Sequence, residues 1–383
     1  MHRVVAALAG LAVAVAVPGA ASADPSERGE QTSTPGQVHS EAHARGHDHD
    51  KTTALSRKQR ALRTKAQEKV LKGQAQSTDQ GGDNVVKVAK GQYVELAREG
   101  EDSIWTVTAE FGDAPATHEG LTHEGPAGPM HNEIPKPDRS VDNTTIWAPD
   151  FSRDYYMDLL FSEEPGAVSM RNFYLENSSN RYTVNGDVTD WAQVPYNAAS
   201  YGSNDCDHDG DGTGDNEEGD ADDIVCQDTW RFVDDSVDAW YQRQLAAGKT
   251  TEAIDEYLSR FDVWDRYDYD GDGNFDEADG YIDHFQSVHA GVGEETGGGE
   301  QGDDAIWSHR WYVQLTGIGD GGPTLDNGDQ VMNGGTQIGQ SKYWIGDYTV
   351  EPENGGVGVF AHEFGHDLGL PDLYDTSGNT GGA

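Results

Sequence analysis

Residues 362–372 read HEFGHDLGLPD and contain the pattern H-E-x-x-H followed by x-x-G-x-x-D. Residues four apart share one face of a helix, so His362 and His366 can direct two imidazole nitrogens at one metal ion. Glu363 lies beside the first histidine, within reach of water at that ion, and Asp372 can supply a third ligand. Three protein ligands leave a fourth position open for water, as catalytic zinc requires. The pattern therefore indicates a zinc peptidase centre.

The helix that must carry these residues has sequence signals of its own. Gly369 suits a left-handed helix stop and Pro371 cannot continue the helix, so the chain should turn back towards the histidines. The opposite face is an apolar stripe, which predicts that the helix is buried. The stripe consists of Val357, Phe360, Ala361, Phe364 and Leu368. These features argue against a chance match, and a structural zinc site would leave Glu363 without a role.

Two other segments repeat the pattern D-x-D-x-D-G, which places oxygen ligands at alternating positions around a calcium ion. In residues 207–218 the candidate ligands are Asp207, Asp209, Asp211, Asp215 and Glu218. In residues 268–279 they are Asp268, Asp270, Asp272, Asp276 and Asp279. Neither segment has obvious EF-hand helices, so the loops predict about two structural calcium ions without an EF-hand domain. The alternative is a solvated acidic run in an acidic protein.

The chain has two cysteines, Cys206 and Cys226, and they flank the first acidic loop. In an oxidising compartment such a pair usually forms a disulfide. A bridge over a loop of this size stabilises a fold by about 3 kcal/mol in the chain-entropy model. We expect the disulfide, with two free thiols as the alternative.

Residues 1–23 have the features of a secretory signal peptide. Arg3 gives a positive start, residues 4–17 are an apolar run, and residues 21–23 read ASA, a small-residue cleavage site. A membrane anchor is the alternative, but the apolar run is too short to span a bilayer comfortably. We therefore expect a secreted, extracellular protein without stable membrane insertion.

Residues 24–99 differ in composition from the rest of the chain. Residues 24–50 are polar and rich in histidine, which predicts disorder, with weak metal binding as the alternative. Residues 51–76 predict a basic, solvated helix. Residues 1–99 carry a net charge of +3 and residues 100–383 a net charge of −46. We interpret residues 24–99 as a pro-segment that charge attraction helps to dock. The acidic remainder argues against nucleic acid as a partner.

Strands and helices alternate from residue 100 onward, and no repeat of solenoid period is evident. Mixed elements of this kind predict an α+β or α/β domain, and we adopt α+β for residues 100–383. The predicted strands cover residues 104–108, 181–188, 281–288 and 342–350. The predicted helices cover residues 153–161, 168–177 and 228–246.

Several motifs in this domain carry a resemblance to a known family. They lie at residues 362–375, 267–275, 279–284, 306–309 and 109–112, with further similarity at residues 128–134 and 142–146. With these motifs the chain resembles the immune inhibitor A family of secreted bacterial metalloproteases.

The resemblance implies a zymogen whose zincin-like, metzincin-like catalytic domain has a twisted mixed sheet and an active-site helix. It implies zinc ligation by His362, His366 and Asp372, with Glu363 as general base. The implied partners are protein or peptide substrates and the protein's own pro-segment.

Metzincin-like sites have a methionine-containing turn downstream of the long zinc motif. The sequence ends at Ala383 without such a methionine, so we expect the catalytic domain to be truncated at its C-terminus. His309 and Tyr374 are candidate helpers to the oxyanion, and for each of them a packing role is the alternative.

Together these features predict a secreted zinc-dependent endopeptidase that is stabilised by calcium and made as a zymogen. One alternative is a calcium-binding interaction protein with a vestigial zinc site, against which the intact Glu363 argues. A second alternative is a zinc amidase, which the sequence alone does not separate from a peptidase.

Overall fold

The computed structural model of the chain describes residues 50–51, 53–80, 83–118, 121–203, 228–314, 321–325 and 327–372. The α-helices of this part are α1 (Ala54–Leu71), α2 (Arg153–Phe161), α3 (Met170–Asn177), α4 (Ala199–Gly202), α5 (Asp228–Ala246), α6 (Thr251–Leu258) and α7 (Val357–Asp367). The first strands are β1 (Ser77–Gln80), β2 (Asp83–Ala89), β3 (Gln92–Glu95), β4 (Gly100–Glu110), β5 (Thr117–His118), β6 (Leu121–Thr122) and β7 (Tyr182–Val188). The later strands are β8 (Ala192–Gln193), β9 (Phe285–His289), β10 (His309–Tyr312), β11 (Thr336–Gln337), β12 (Trp344–Ile345) and β13 (Asp347–Pro352).

The largest sheet has the strand order β10-β13-β9-β4-β7, and the short strand β8 also pairs with β4. Strands β13, β9, β4 and β7 are parallel to their neighbours, and the edge strand β10 is antiparallel to β13. Residues 104–110 of β4 are buried without alternation, as in a sheet covered on both faces. The mixed sheet predicted from the sequence is confirmed.

Helices cover both faces of this sheet. The rings of Trp105 and Phe285 lie side by side in adjacent strands (5.5 Å), and Trp105 contacts Trp240 of α5 at 4.7 Å. His284 precedes Phe285 and its ring lies 5.0 Å from Phe364 of α7. Because successive residues of an extended chain point to opposite faces, α5 and α7 pack on opposite sides of the sheet. The sheet thus separates the long helix α5 from the helix with the H-E-x-x-H pattern.

Most predicted elements are present, and the differences have local causes. Helix α3 begins at Met170 and not at residue 168, because the Ser169 side chain caps it by accepting the N–H of Asn172 (3.2 Å). The predicted strand over residues 342–350 is divided into β12, which pairs with β11, and β13, which joins the large sheet.

The segment before residue 100 has a small core of its own. Helix α1 packs on the three-stranded sheet β1–β2–β3 around Ala66, Val86, Val88 and Val94. A second buried cluster joins strands β2 and β3 to the loop after α6. It contains Val85, Trp264 and Phe275, with Tyr93 packed against it.

Two basic side chains of α1 bond within their own segment. Lys69 Nζ donates to the Val88 carbonyl (2.7 Å), and Arg63 donates to the Leu96 carbonyl (3.3 Å). The hairpin β2–β3 meets the following domain through the second apolar cluster, and Arg98, just after the hairpin, adds ion pairs with Asp102 (2.8 Å) and Asp276 (3.5 Å).

None of the helices in the described ranges is both long enough and apolar enough to cross a membrane. Several predicted features lie outside the described residues. They are the signal peptide, the histidine-rich residues 24–49, the first acidic loop with its ligands at residues 207–218, both cysteines and Tyr374.

Candidate metal centre

Helix α7 ends in the left-handed turn that the sequence predicts. Gly369 has a φ of +84°, which glycine adopts without the steric cost of a side chain. Its N–H donates to the carbonyl of His366 (2.8 Å), and the N–H of Leu370 donates to the carbonyl of Gly365 (2.9 Å). These two bonds form a Schellman motif. The turn reverses the chain and returns Asp372 to the helix.

The structure brings His362, His366 and Asp372 together. The Nε2 atoms of the two histidines are 3.1 Å apart. The Oδ1 atom of Asp372 lies 3.4 Å from Nε2 of His362 and 3.3 Å from Nε2 of His366. A tetrahedral zinc ion with bonds of about 2.1 Å separates its ligand atoms by roughly 3.4 Å. The three predicted ligands therefore have the spacing that a zinc ion requires.

The chemistry of these three atoms also fits a cation. Within the described residues, the buried Oδ1 atom of Asp372 accepts no hydrogen bond. The Nδ1 atom of His366 donates to the Leu370 carbonyl (2.8 Å), so in a neutral ring Nε2 presents its lone pair to His362. A cation between the three atoms would satisfy all of them. The side chain of His362 is 34% exposed, so the site opens to solvent.

Glu363 lies in the interior beside this triangle of ligand atoms, with 1% of its surface exposed. Burial raises the pKa of the Glu363 carboxyl well above its usual range, and the charges of Glu295, Asp372 and Asp50 raise it further. A cation at the histidines would favour the ionised form. Glu363 is therefore a candidate proton acceptor whose charge depends on the metal.

Helix α7 is also held by buried side chains to which the sequence analysis gave no role. Arg266 donates two hydrogen bonds of 2.8 Å to the carboxylate of Asp367, the residue after His366. Nδ1 of His284 lies 2.5 Å from the same carboxylate. On another side of the helix, the Tyr174 hydroxyl donates to the Ala361 carbonyl (2.6 Å).

The second acidic loop gathers only part of its predicted ligand set. Oxygens of Asp268, Asp270 and Asp272 lie within 4.8 Å of one another, as do oxygens of Asp265, Asp270 and Glu277. Burial raises the pKa of Asp265 to about 7, and the charges of Asp268 and Glu277 add to the effect. Crowded carboxylates of this kind repel one another until a cation neutralises them.

The other two predicted calcium ligands lie elsewhere. Asp276 is 57% exposed and pairs with Arg98 at 3.5 Å, whereas Asp279 is buried and accepts the N–H of Tyr281 (2.8 Å). In the described chain, no helix lies between this loop and β9. Asp276 and Asp279 therefore are not held at the start of a helix, as the last ligands of an EF-hand loop are. Asp265 and Glu277 were missed because they lie outside the positions that the D-x-D-x-D-G pattern specifies.

His309 is buried, and both of its ring nitrogens have partners. Nδ1 donates to the Trp307 carbonyl (2.7 Å), and Nε2 lies 2.9 Å from the Tyr348 hydroxyl. This arrangement supports the packing role of His309 over a role at the oxyanion.

Residues 90–383 match the family model described as immune inhibitor A peptidase M6, catalytic domain. The chain belongs to this family. Immune inhibitor A of Bacillus thuringiensis subsp. alesti is 40% identical over 260 residues, which are 64% of this chain and 31% of that protein. Pre-pro-metalloprotease PrtV of Vibrio cholerae serotype O1 is 38% identical over 233 residues, which are 59% of this chain and 22% of that protein. The chain thus spans less than a third of the length of these curated relatives.

The family predicted from the sequence motifs is confirmed. Membership in a peptidase family favours peptide-bond hydrolysis over amidase activity, and its metalloprotease relatives imply a metal.

Proposed function

We propose that this chain is the latent form of a secreted zinc endopeptidase that is stabilised by calcium. The observation that carries the proposal is the triangle of ligand atoms from His362, His366 and Asp372, with the buried carboxyl of Glu363 beside it. Membership in the immune inhibitor A peptidase family supports proteins as the substrate class.

In this proposal His362, His366 and Asp372 hold the zinc ion. Bound there, zinc supplies a Lewis acid for the scissile carbonyl and lowers the pKa of water. Glu363 accepts a proton from the attacking water and delivers it to the leaving amine. A C–O bond forms, the C–N bond breaks, and a carboxylic acid and an amine result. Burial of Glu363 limits the exchange of that proton with bulk water.

The test compares casein cleavage by the wild-type chain, Glu363→Gln and the control Glu256→Gln after removal of the N-terminal segment. Glu256 is exposed on helix α6, so its replacement tests the effect of losing a carboxylate alone. General-base catalysis predicts a loss of about 10²- to 10⁴-fold for Glu363→Gln and none for the control. Cleavage by Glu363→Gln at the wild-type rate would refute the proposed mechanism.

Latency is the second part of the proposal, with residues 24–99 as the pro-segment. The contacts of Asp50 and Lys51 with the edge strand β10 support it. Asp50 forms a parallel bridge with Arg310, and the N–H of Lys51 donates to the Arg310 carbonyl (3.1 Å). The charge of Asp50 also raises the pKa of Glu363, so the segment passes close to the catalytic carboxyl. The name pre-pro-metalloprotease of the Vibrio relative is consistent with a removable segment.

Latency has a direct test. If residues 24–99 keep the enzyme latent, the uncut protein should cleave casein far more slowly than protein cut between Lys51 and β1. Equal rates before and after the cut would contradict this part of the proposal.

Calcium binding is the third part, in both acidic loops. In the second loop the crowded carboxylates of Asp268, Asp270 and Asp272 support it.

For the first loop we propose a disulfide between Cys206 and Cys226, on the sequence argument alone. Two reactive thiols in the unreduced, unfolded protein would contradict the disulfide.

Secretion is the last part, with residues 1–23 as the signal peptide. The protein recovered from culture medium should then begin at Asp24 or further along the chain. Recovery in cells only, with Met1 retained, would contradict it.

A further inference from the structure

A buried network of charges lies behind the metal triangle. The side chain of Asp367 is 4% exposed, that of its ion-pair partner Arg266 is 12% exposed, and that of His284 is 1% exposed. The two bonds of 2.8 Å from Arg266 reach the two different oxygens of Asp367. A two-pronged pair of this kind fixes orientation as well as distance.

Arg266 also completes the C-terminus of helix α7. The last four carbonyls of a helix have no helical N–H partner, and the chain supplies donors for three of them. Leu368 donates to Phe364, and the Schellman bonds satisfy Gly365 and His366. The fourth carbonyl, that of Asp367, accepts from Nη1 of Arg266 (3.4 Å). A cation at this end of a helix is also favoured by the helix dipole.

The last turn of α7 matters to the metal centre because two ligands depend on it. His366 directly precedes Asp367, and Asp372 is reached through the turn at Gly369 that begins where the helix ends. A metal site requires its ligands within about 0.5 Å of their working positions. A rotation of this turn would move both ligands relative to His362.

Arg266 also contacts the buried cluster that joins the N-terminal hairpin to the following domain. Its guanidinium lies over the ring of Trp264 at 4.7 Å. Trp264 belongs to the buried cluster with Val85 and Phe275, against which Tyr93 packs. A continuous set of contacts therefore runs from the hairpin β2–β3 through Trp264 and Arg266 to the last turn of the metal-site helix.

We propose that Arg266 is a positioning residue for the metal centre, which acts through Asp367 and through the C-terminus of α7. The proposal rests on the zinc site proposed above. A buried ion pair adds little net stability compared with apolar side chains, so its value here is in fixing the orientation of the turn. Lysine keeps the charge of arginine but cannot form the two-pronged contact.

The experiment uses the full chain and the variants Arg266→Lys and Asp367→Asn, with Arg260→Lys as a matched control. Arg260 is 55% exposed and pairs with Asp187 at the surface. Zinc affinity is measured by competition with a chromophoric chelator, and hydrogen exchange of the amides of residues 364–370 is measured without metal. Thermal unfolding of each variant is recorded in parallel.

Loss of a group hydrogen-bonded directly to a metal ligand typically weakens metal binding by about 10- to 100-fold. Arg266 and Asp367 act one step further out, through the backbone next to His366, so the lower end of that range, about 10-fold, applies to them. We expect a loss of this size in Arg266→Lys and Asp367→Asn, with faster exchange confined to residues 364–370, and none in Arg260→Lys. The double variant Arg266→Lys, Asp367→Asn should lose no more zinc affinity than either single variant, because the two side chains act as one unit.

Wild-type zinc affinity and wild-type exchange in Arg266→Lys would overturn the proposal. Exchange that rises equally throughout the large sheet would overturn it as well, because that result shows general stability and not positioning. If Arg266→Lys fails to fold, Asp367→Asn decides by the same two measurements. If the wild-type chain binds no zinc, the proposed function fails, and exchange at residues 364–370 still tests the role of Arg266.

Discussion

Glu353 should make the stability of the metal-site region depend on pH. It lies between strand β13 and helix α7, and none of its surface is exposed. Its two carboxyl oxygens accept the N–H of Asn132 and the N–H of Gly291, each at 2.7 Å. Burial raises the pKa of Glu353 from 4.5 to about 7, although these two hydrogen bonds oppose the shift. The perturbation we choose is Glu353→Gln, which cannot ionise.

The sign of the effect follows from proton linkage. The folded protein holds the proton of Glu353 more tightly than the unfolded chain does, so this stabilisation is complete below the unfolded pKa. It is lost as the pH rises through the folded pKa. A shift from 4.5 to about 7 corresponds to about 3 kcal/mol at 1.36 kcal/mol per pKa unit. Glutamine loses one backbone hydrogen bond at every pH, a constant cost of about 1 kcal/mol.

The assay is urea unfolding of wild type, Glu353→Gln and the exposed control Glu256→Gln between about pH 4.5 and pH 8. Across this range the stability advantage of wild type over Glu353→Gln should fall by about 3 kcal/mol. Glu256→Gln should follow wild type at every pH. A constant difference between wild type and Glu353→Gln would refute the reasoning, since Glu353 would then have the same pKa in both states.

Three further predictions concern calcium, the helix stop and a buried hydroxyl. Calcium at 100 times its dissociation constant should stabilise the wild type by about 3 kcal/mol. Asp270→Asn should reduce the calcium-induced rise in Tm more than Asp276→Asn does. Equal reductions in the two variants would contradict the grouping of Asp270 with the other loop carboxylates. Gly369→Ala should cost about 1–2 kcal/mol from backbone strain alone, because no atom lies within 4 Å of the added Cβ; urea unfolding at wild-type stability would show that the left-handed turn is not required. Tyr174→Phe should cost about 1 kcal/mol, because the Ala361 carbonyl keeps its helical partner and loses only the additional hydrogen bond from the hydroxyl. No loss in the same assay would mean that this additional bond does not contribute to stability.

Features encoded within a few residues could be predicted from the sequence. The helix with His362 and His366, its stop at Gly369 and the bounds of α2 and α5 all follow from periodicity and from local stop signals. The return of Asp372 to the histidines also follows, because a left-handed glycine turn leaves the chain few directions. The helix, its stop and the return of Asp372 together form the metal triangle.

Contacts between distant segments could not be predicted in this way. Arg266 is 101 residues from Asp367 in the chain, and no local pattern marks the two as partners. The acidic loop pattern places its last ligand at residue 279, so it selected Asp279, which the structure does not group with the carboxylates of Asp268, Asp270 and Asp272. Only the folded chain shows that Glu277 replaces it near Asp270.

The N-terminal hairpin illustrates a different limit of sequence analysis. The opposite net charges of the two parts of the chain suggested docking by charge, since long-range attraction scales with net charge. The described contacts combine apolar side chains, among them Val85 and Tyr93 against Trp264, with ion pairs of Arg98 to Asp102 (2.8 Å) and to Asp276 (3.5 Å). Composition does not indicate which apolar residue meets which partner.

The central claim is that His362, His366 and Asp372 hold a single zinc ion beside Glu363. The most direct test is an anomalous difference map from crystals of the zinc-loaded chain, with data collected on both sides of the zinc absorption edge. We expect a peak that both data sets identify as zinc, about 2.0–2.2 Å from Nε2 of both histidines and from Oδ1 of Asp372. A zinc peak that the Asp372 carboxylate does not contact, or zinc bound elsewhere with this triangle empty, would show that these three residues do not form the zinc site.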